Sequence, residues 1–90
     1  MTNIEKLIYI VNEKNIRLKP QIGKYSIDID YIESGVVYFL FRNSEQIAII
    51  AKHIIEKQIQ VYYEHIITQK EKNDIKKAVE YVAKNLYKTH

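Results

Sequence analysis

Lys70, Lys77, Lys84 and Lys88 recur at spacings that place them along one side of a helix, and Tyr81 falls between Lys77 and Lys84 at i+4 and i−3. A basic stripe with an aromatic set into it can contact phosphates and stack a base, each stacked base contributing about 1–3 kcal/mol. The same residues also describe an ordinary solvated helix face, whose lysines sit favourably toward the negative end of the helix dipole. A second group, Tyr38, Tyr62, Arg42 and Tyr25, lies in segments that read as strands. Aromatics on an open sheet can stack single-stranded RNA. Asp28 and Asp30, expected on the same face, would repel its phosphates. Tyrosine and arginine with modest apolar content suit a protein interface better. Tyr38, Leu40, Arg42 and Tyr62, together with an exposed Ile49, are therefore the candidate interface residues.

Asp28 and Asp30 stand one strand repeat apart, with Glu64 placed to lie across the sheet. Paired acids can hold Mg²⁺ or run acid–base chemistry. No further ligand or cleft-directed lysine joins them, and surface aspartates paired with Arg42 or lysines account for the pattern. His53, His65 and His90 are too scattered for a spaced metal motif. His53 reads as the polar side of a helix, and His65 continues the apolar row of a strand as a hydrogen-bonded core-edge residue. Two isolated glycines, Gly23 and Gly35, cannot build a phosphate loop, and no nucleophile–His–acid arrangement is legible. The expectation is no catalytic residues, no metal site and no cofactor.

These side chains need elements to position them. Thr2 and Glu5 form a capping box, followed by Ile4, Leu7, Ile8 and Val11 at i, i+3, i+4, i+7, which predicts an amphipathic helix over 3–14. Ile16-Arg17-Leu18 reads as a short edge strand ended by Pro20. Residues 24–32 alternate as a strand. Val36 to Phe41 is apolar at every position, so the two runs make a hairpin about Glu33-Ser34-Gly35. A three-residue loop with Gly35 left-handed pairs Ile32 with Val36. Ile27, Ile29 and Tyr31 then share a core face with Val37, Phe39 and Phe41, and Ser26, Asp28 and Asp30 share the other with Tyr38, Leu40 and Arg42. A two-residue loop would set the aspartates opposite phenylalanine, which disfavours it. Ser44 reads as an N-cap, and residues 45–57 could form a helix or a third strand; Ile47, Ile50, Ala51, Ile54 and Ile55 on one side of a wheel, without a clean period of two, favour the helix. Residues 58–67 read as a strand. Residues 72–88 read as a helix capped by Asn73 or Asp74, with Ile75, Val79, Val82 and Leu86 buried. The expected fold is α+β in the order α-β-β-α-β-α, a three-stranded, mostly antiparallel sheet with helices packed on it. That order resembles a ferredoxin-like unit lacking its first strand, a likeness of topology alone.

Composition bounds the function. Ninety residues fit one domain spanning 1–90, and 47% hydrophobic with 28% charged residues is globular composition. There are no cysteines, so disulfides and thiolate metal sites are excluded. No apolar run approaches a membrane span, and the first residues do not read as a signal peptide, so a cytoplasmic location is expected. A net charge of +3 is mild. Seventeen isoleucines against four leucines, and twelve lysines against two arginines, fit an AT-rich genome. Small chains of this kind are frequent among virus, phage and plasmid accessory genes, an analogy rather than a derivation. The reading is a small non-enzymatic interaction module that binds a protein partner, or a second copy as a homodimer, through the outer face of its sheet. The alternative is nucleic-acid binding through Lys70, Lys77, Tyr81, Lys84 and Lys88.

Overall fold

The computed structural model describes residues 1–13 and 19–86. Helix α1 (Asn3–Glu13) is followed by five strands, β1 (Gln21–Ile22), β2 (Tyr25–Ile32), β3 (Gly35–Arg42), β4 (Glu45–His53) and β5 (Gln58–Tyr63), and by helix α2 (Gln69–Leu86). The strands form one antiparallel sheet in chain order, β1-β2-β3-β4-β5. The α+β class is as expected, but the order is α-β-β-β-β-β-α, and the three-stranded sheet and its helix over 45–57 are overturned. A meander without a crossover also ends the ferredoxin-like likeness. The expected edge strand at 16–18 lies outside the described residues.

Each helix begins with the same device. Thr2 Oγ1 accepts the Glu5 N–H at 3.2 Å and its own hydroxyl donates to Glu5 Oε1, also at 3.2 Å. Thr68 Oγ1 accepts the Glu71 N–H at 3.1 Å, and the Thr68 N–H donates to Glu71 Oε1 at 2.9 Å. Both boxes satisfy amides that a helix start leaves unpaired. The cap of α2 is therefore Thr68, not Asn73 or Asp74. Ile4, Leu7, Ile8 and Val11 of α1 and Ile75, Ala78 and Val82 of α2 bury their stripes together against one face of the sheet. Val79 is half-buried beside them, and the Leu86 side chain lies outside the description.

The hairpin between β2 and β3 has the loop that the sequence disfavours. Ile32 pairs with Gly35, Ile29 with Tyr38 and Ile27 with Leu40, so only Glu33 and Ser34 turn the chain. Gly35 is not left-handed; of the two glycines it is Gly23 that takes a positive φ, at 61°. Its glycine is explained from the next strand. A Cβ at Gly35 would lie 1.9 Å from the Lys52 carbonyl oxygen, so backbone crosses backbone there. The register consequently puts Ile27, Tyr38 and Leu40 in the core at 0%, 4% and 0% exposure. Val37, Phe39 and Phe41 fall on the opposite face, and Tyr31, expected inside, is 64% exposed.

Strand β4 hides its period behind a bulge. The pairing with β3 steps from Phe41↔Gln46 to Leu40↔Ala48, leaving Ile47 as the extra residue. Ile47 and Ala48 are both fully buried. A bulge sends two successive residues to the same side, so the inward set runs 47, 48, 50, 52 and no simple alternation survives. Ser44 is not an N-cap. With Asn43 at φ 49° and Ser44 at φ 66°, it forms the left-handed pair of a two-residue hairpin turn between β3 and β4.

Candidate functional site

The helices cover one side of the sheet, and its other side is built from the remaining half of each strand's alternation. Cross-strand pairing sorts that side into rows. Asp28, Phe39, Ile49 and Tyr62 lie side by side, as do Asp30, Val37, Ala51 and Gln60, then Ile32, Gly35, His53 and Gln58. Ser26, Phe41 and Gln46 make the row at the other end. The face is thus polarised across the strands. Carboxylates stand on β2, apolar side chains fill β3 and β4, and amides with the Tyr62 hydroxyl stand on β5.

No helix among the described residues lies on this face. Val37, Phe39, Phe41 and Ile49 shield one another to intermediate exposure, while Tyr62 is 56% exposed. Lys19 reaches over one corner. Its Nζ lies 4.4 Å from the centre of the Phe41 ring and 3.4 Å from Asp28 Oδ2. Tyr62 donates its hydroxyl to Gln60 Oε1 at 3.1 Å. At the edge, His53 Nδ1 lies 3.7 Å from Glu56 Oε2.

The candidate interface residues divide between the two sides. Tyr62 lies on the open face of the sheet, and Ile49, expected exposed on a helix, lies half-buried on the same face as part of β4. Tyr38 and Leu40 are core residues and Arg42 points to the covered side, because the two-residue turn shifts all three by one position. The face they leave belongs to their neighbours Val37, Phe39 and Phe41, which the sequence reading placed in the core. One signal was available: aspartates opposite Phe39 and Val37 are tolerable only where their face meets water. Tyr25 also lies on the covered side.

Arg42 and Tyr25 have a structural occupation there. Glu71 accepts from Arg42 Nη1 and from the Tyr25 hydroxyl, each at 2.6 Å, besides closing its capping box. Burial raises the pKa of this carboxyl, but hydrogen bonds from Tyr25, the Thr68 amide and Arg42 outweigh it and hold the group down at about 2. Burial, and then the bond to Glu71, pushes the Tyr25 phenol up to about 12. The cleft beside this node, about 510 Å³, is lined by Lys24 and Lys70 but also by Asp74 and Glu71. Its arginine is already neutralised by an ion pair, so the node fastens α2 to the sheet. On the same covered side Lys52 donates to Asn12 Oδ1 at 2.7 Å, and desolvation lowers its pKa.

The remaining candidates are dispersed. Lys70, Lys77 and Lys84 are exposed on α2, Tyr81 is 54% exposed, and its ring packs 5.0 Å from that of Tyr9. Lys88 and His90 lie outside the described residues. Asp28 and Asp30 share the open face, whereas Glu64 lies past the end of β5 and accepts from Gln46 Nε2 at 3.3 Å. Among the described residues no three metal-ligating side chains converge. His53 lies on a strand rather than a helix, and His65, past the end of β5, is exposed rather than a core-edge residue. No helix among the described residues is long and apolar enough to cross a membrane. Comparison with protein-family models, with curated proteins and with solved structures finds no match.

Proposed function

We propose that the protein is a non-enzymatic interaction module that docks a protein partner through the open face of its sheet. The observation that carries this reading is the apolar centre of Val37, Phe39, Phe41, Ile49 and Ala51 on a face that neither helix covers. Its border of Asp28, Asp30, Gln60 and Tyr62 gives it the apolar middle and polar rim of an interface. The two aspartates disfavour nucleic acid here. A cysteine-free chain suits the reducing interior of a cell, and the reading places the protein in the cytoplasm.

A second reading, nucleic-acid binding through α2, is favoured by one observation. Lys70, Lys77 and Lys84 stand together on the solvent side of that helix. Tyr81 already leans on Tyr9, which reduces its value as a stacking platform. Pulldown from a native lysate with and without nuclease separates the readings. Docking through the sheet predicts protein retention that survives nuclease and Lys77→Glu/Lys84→Glu, but is lost in Phe39→Asp/Ile49→Asp. The opposite pattern, retention lost with nuclease and with the lysine changes alone, refutes it in favour of the helix.

A further inference from the structure

We infer that the occupant of the open face is a second copy of this chain, packed sheet to sheet about a two-fold axis that runs along the strands. The inference rests on the docking reading and goes beyond it by naming the partner and its orientation. It follows from the lateral polarity of the face.

A two-fold axis lying in the interface, parallel to the strands and between β3 and β4, reverses the order of strands and preserves the rows. β2 of one copy then faces β5 of the other. Asp30 meets the partner copy's Gln60, Asp28 meets its Tyr62, and the apolar centres of β3 and β4 cover each other. The Asp30 carboxylate, which only accepts, meets an amide nitrogen that can donate, while Asp28, already held by Lys19 of its own copy, lies beside a Tyr62 hydroxyl that would turn to it from Gln60 Oε1. An axis perpendicular to the strands instead sets β2 upon β2, where the two Asp30 carboxylates meet no donor and the net charge of the β2 edge, two aspartates against one Lys19 in each copy, repels itself. The face is therefore self-complementary in one orientation and self-repelling in the other, as an isologous interface requires.

Size agrees with a dimer at the modest end of the range. Four strands at about 4.8 Å spacing, with β3 running eight residues at about 3.4 Å each, give a face of roughly 500 Å². Two copies then cover about 1,000 Å² together, the lower bound for a specific interface. Sheets packed this way align at about 30°, a rotation small enough to keep β2 over β5.

The absence of cysteine makes the orientation directly testable. Light scattering at micromolar concentration should give twice the 10.7 kDa of one chain. Phe39→Asp should return it to one chain mass with an unchanged circular dichroism spectrum. Should that variant unfold, Ile49→Lys serves the same purpose on the neighbouring strand. Asp30→Cys and Gln60→Cys chains, mixed and treated with a short bis-maleimide, should join 30 to 60 in preference to 30 to 30. A dominant 30-to-30 product overturns the axis. A wild-type chain that stays monomeric overturns the dimer. If that monomer still retains another protein through Phe39 and Ile49, the docking reading stands alone. If those two changes alter no retention, both fall.

Discussion

Glu71 joins three parts of the molecule at one carboxylate, so its replacement by glutamine tests the electrostatics of the fold most directly. Its folded pKa of about 2 stands against an ordinary 4.5. At about 1.4 kcal/mol per pKa unit, the ionised form contributes about 3 kcal/mol to stability at neutral pH. Glu71→Gln removes that charge while keeping the shape, and leaves Arg42 beside a neutral amide at a largely buried site. Against a total stability of about 5–15 kcal/mol for a domain, this is a large loss. With a urea slope of about 1–1.5 kcal/mol per molar, the unfolding midpoint should fall by about 2–3 M. The sign with pH is fixed by the depressed value: the contribution is present above 4.5 and is lost as pH falls through 4.5 toward 2. The gap between wild type and variant should therefore be full at pH 7, about half as large at pH 3, and nearly closed at pH 2. Urea titrations followed by circular dichroism at these values measure it. A gap that keeps its size down to pH 3, or one below about 0.5 kcal/mol at pH 7, refutes the role given to this ion pair. Glu5→Gln is the internal control: the same capping box without an arginine, expected to cost about 1 kcal/mol or less.

Further outcomes follow from packing and backbone. Gly35→Ala drives a methyl into the Lys52 carbonyl and should lower stability by about 3 kcal/mol or more in thermal melts, although the residue sits beside a surface turn. Tyr38→Glu places a charge in the core and should unfold the chain rather than merely dissociate it; a folded monomer by circular dichroism and scattering contradicts the register described above. Ser44→Gly relieves a left-handed serine in the turn between β3 and β4 and should raise the urea midpoint slightly, by up to about 0.5–1 kcal/mol in stability, whereas Ser44→Val should lower it.

The parts of this fold that were legible in the sequence are those whose signals are local. The stripe of Ile4, Leu7, Ile8 and Val11 behind the Thr2–Glu5 box gives α1 almost to the residue, and alternation gives β2 and β5. The hairpin from Tyr25 to Arg42 was also visible, but its register was not. Val36 to Phe41 is apolar on both faces, so hydrophobicity cannot choose between them, and the deciding constraint on Gly35 comes from β4, seventeen residues away. β4 itself reads as helix in the sequence because the Ile47 bulge erases its period of two and leaves isoleucines that also fit a wheel. Thr68-Gln69-Lys70-Glu71 was a readable start signal for α2, of the same form as the one that marked α1. The candidate site follows the same pattern: Tyr62 keeps its face because the alternation of β5 does not depend on the turn, Ile49 reaches that face through a strand that reads as a helix, and Tyr38, Leu40 and Arg42 move with the turn.

The sequential order of the strands has a consequence for how the chain acquires its structure. Each strand pairs with the one just made, so four hairpin-like steps can form locally, the kind of topology that folds fast for a β-rich protein. The helical layer does not share this advantage. α2 follows every strand in the chain, and Ile75, Ala78 and Val82 reach the sheet only after the meander exists. During synthesis at about 5–20 residues per second, there is an interval of about a second or more in which the covered face of the sheet lacks α2. In that interval the nascent sheet is sticky on both sides, and the fastening of Glu71 to Arg42 and Tyr25 marks the moment at which one of them closes.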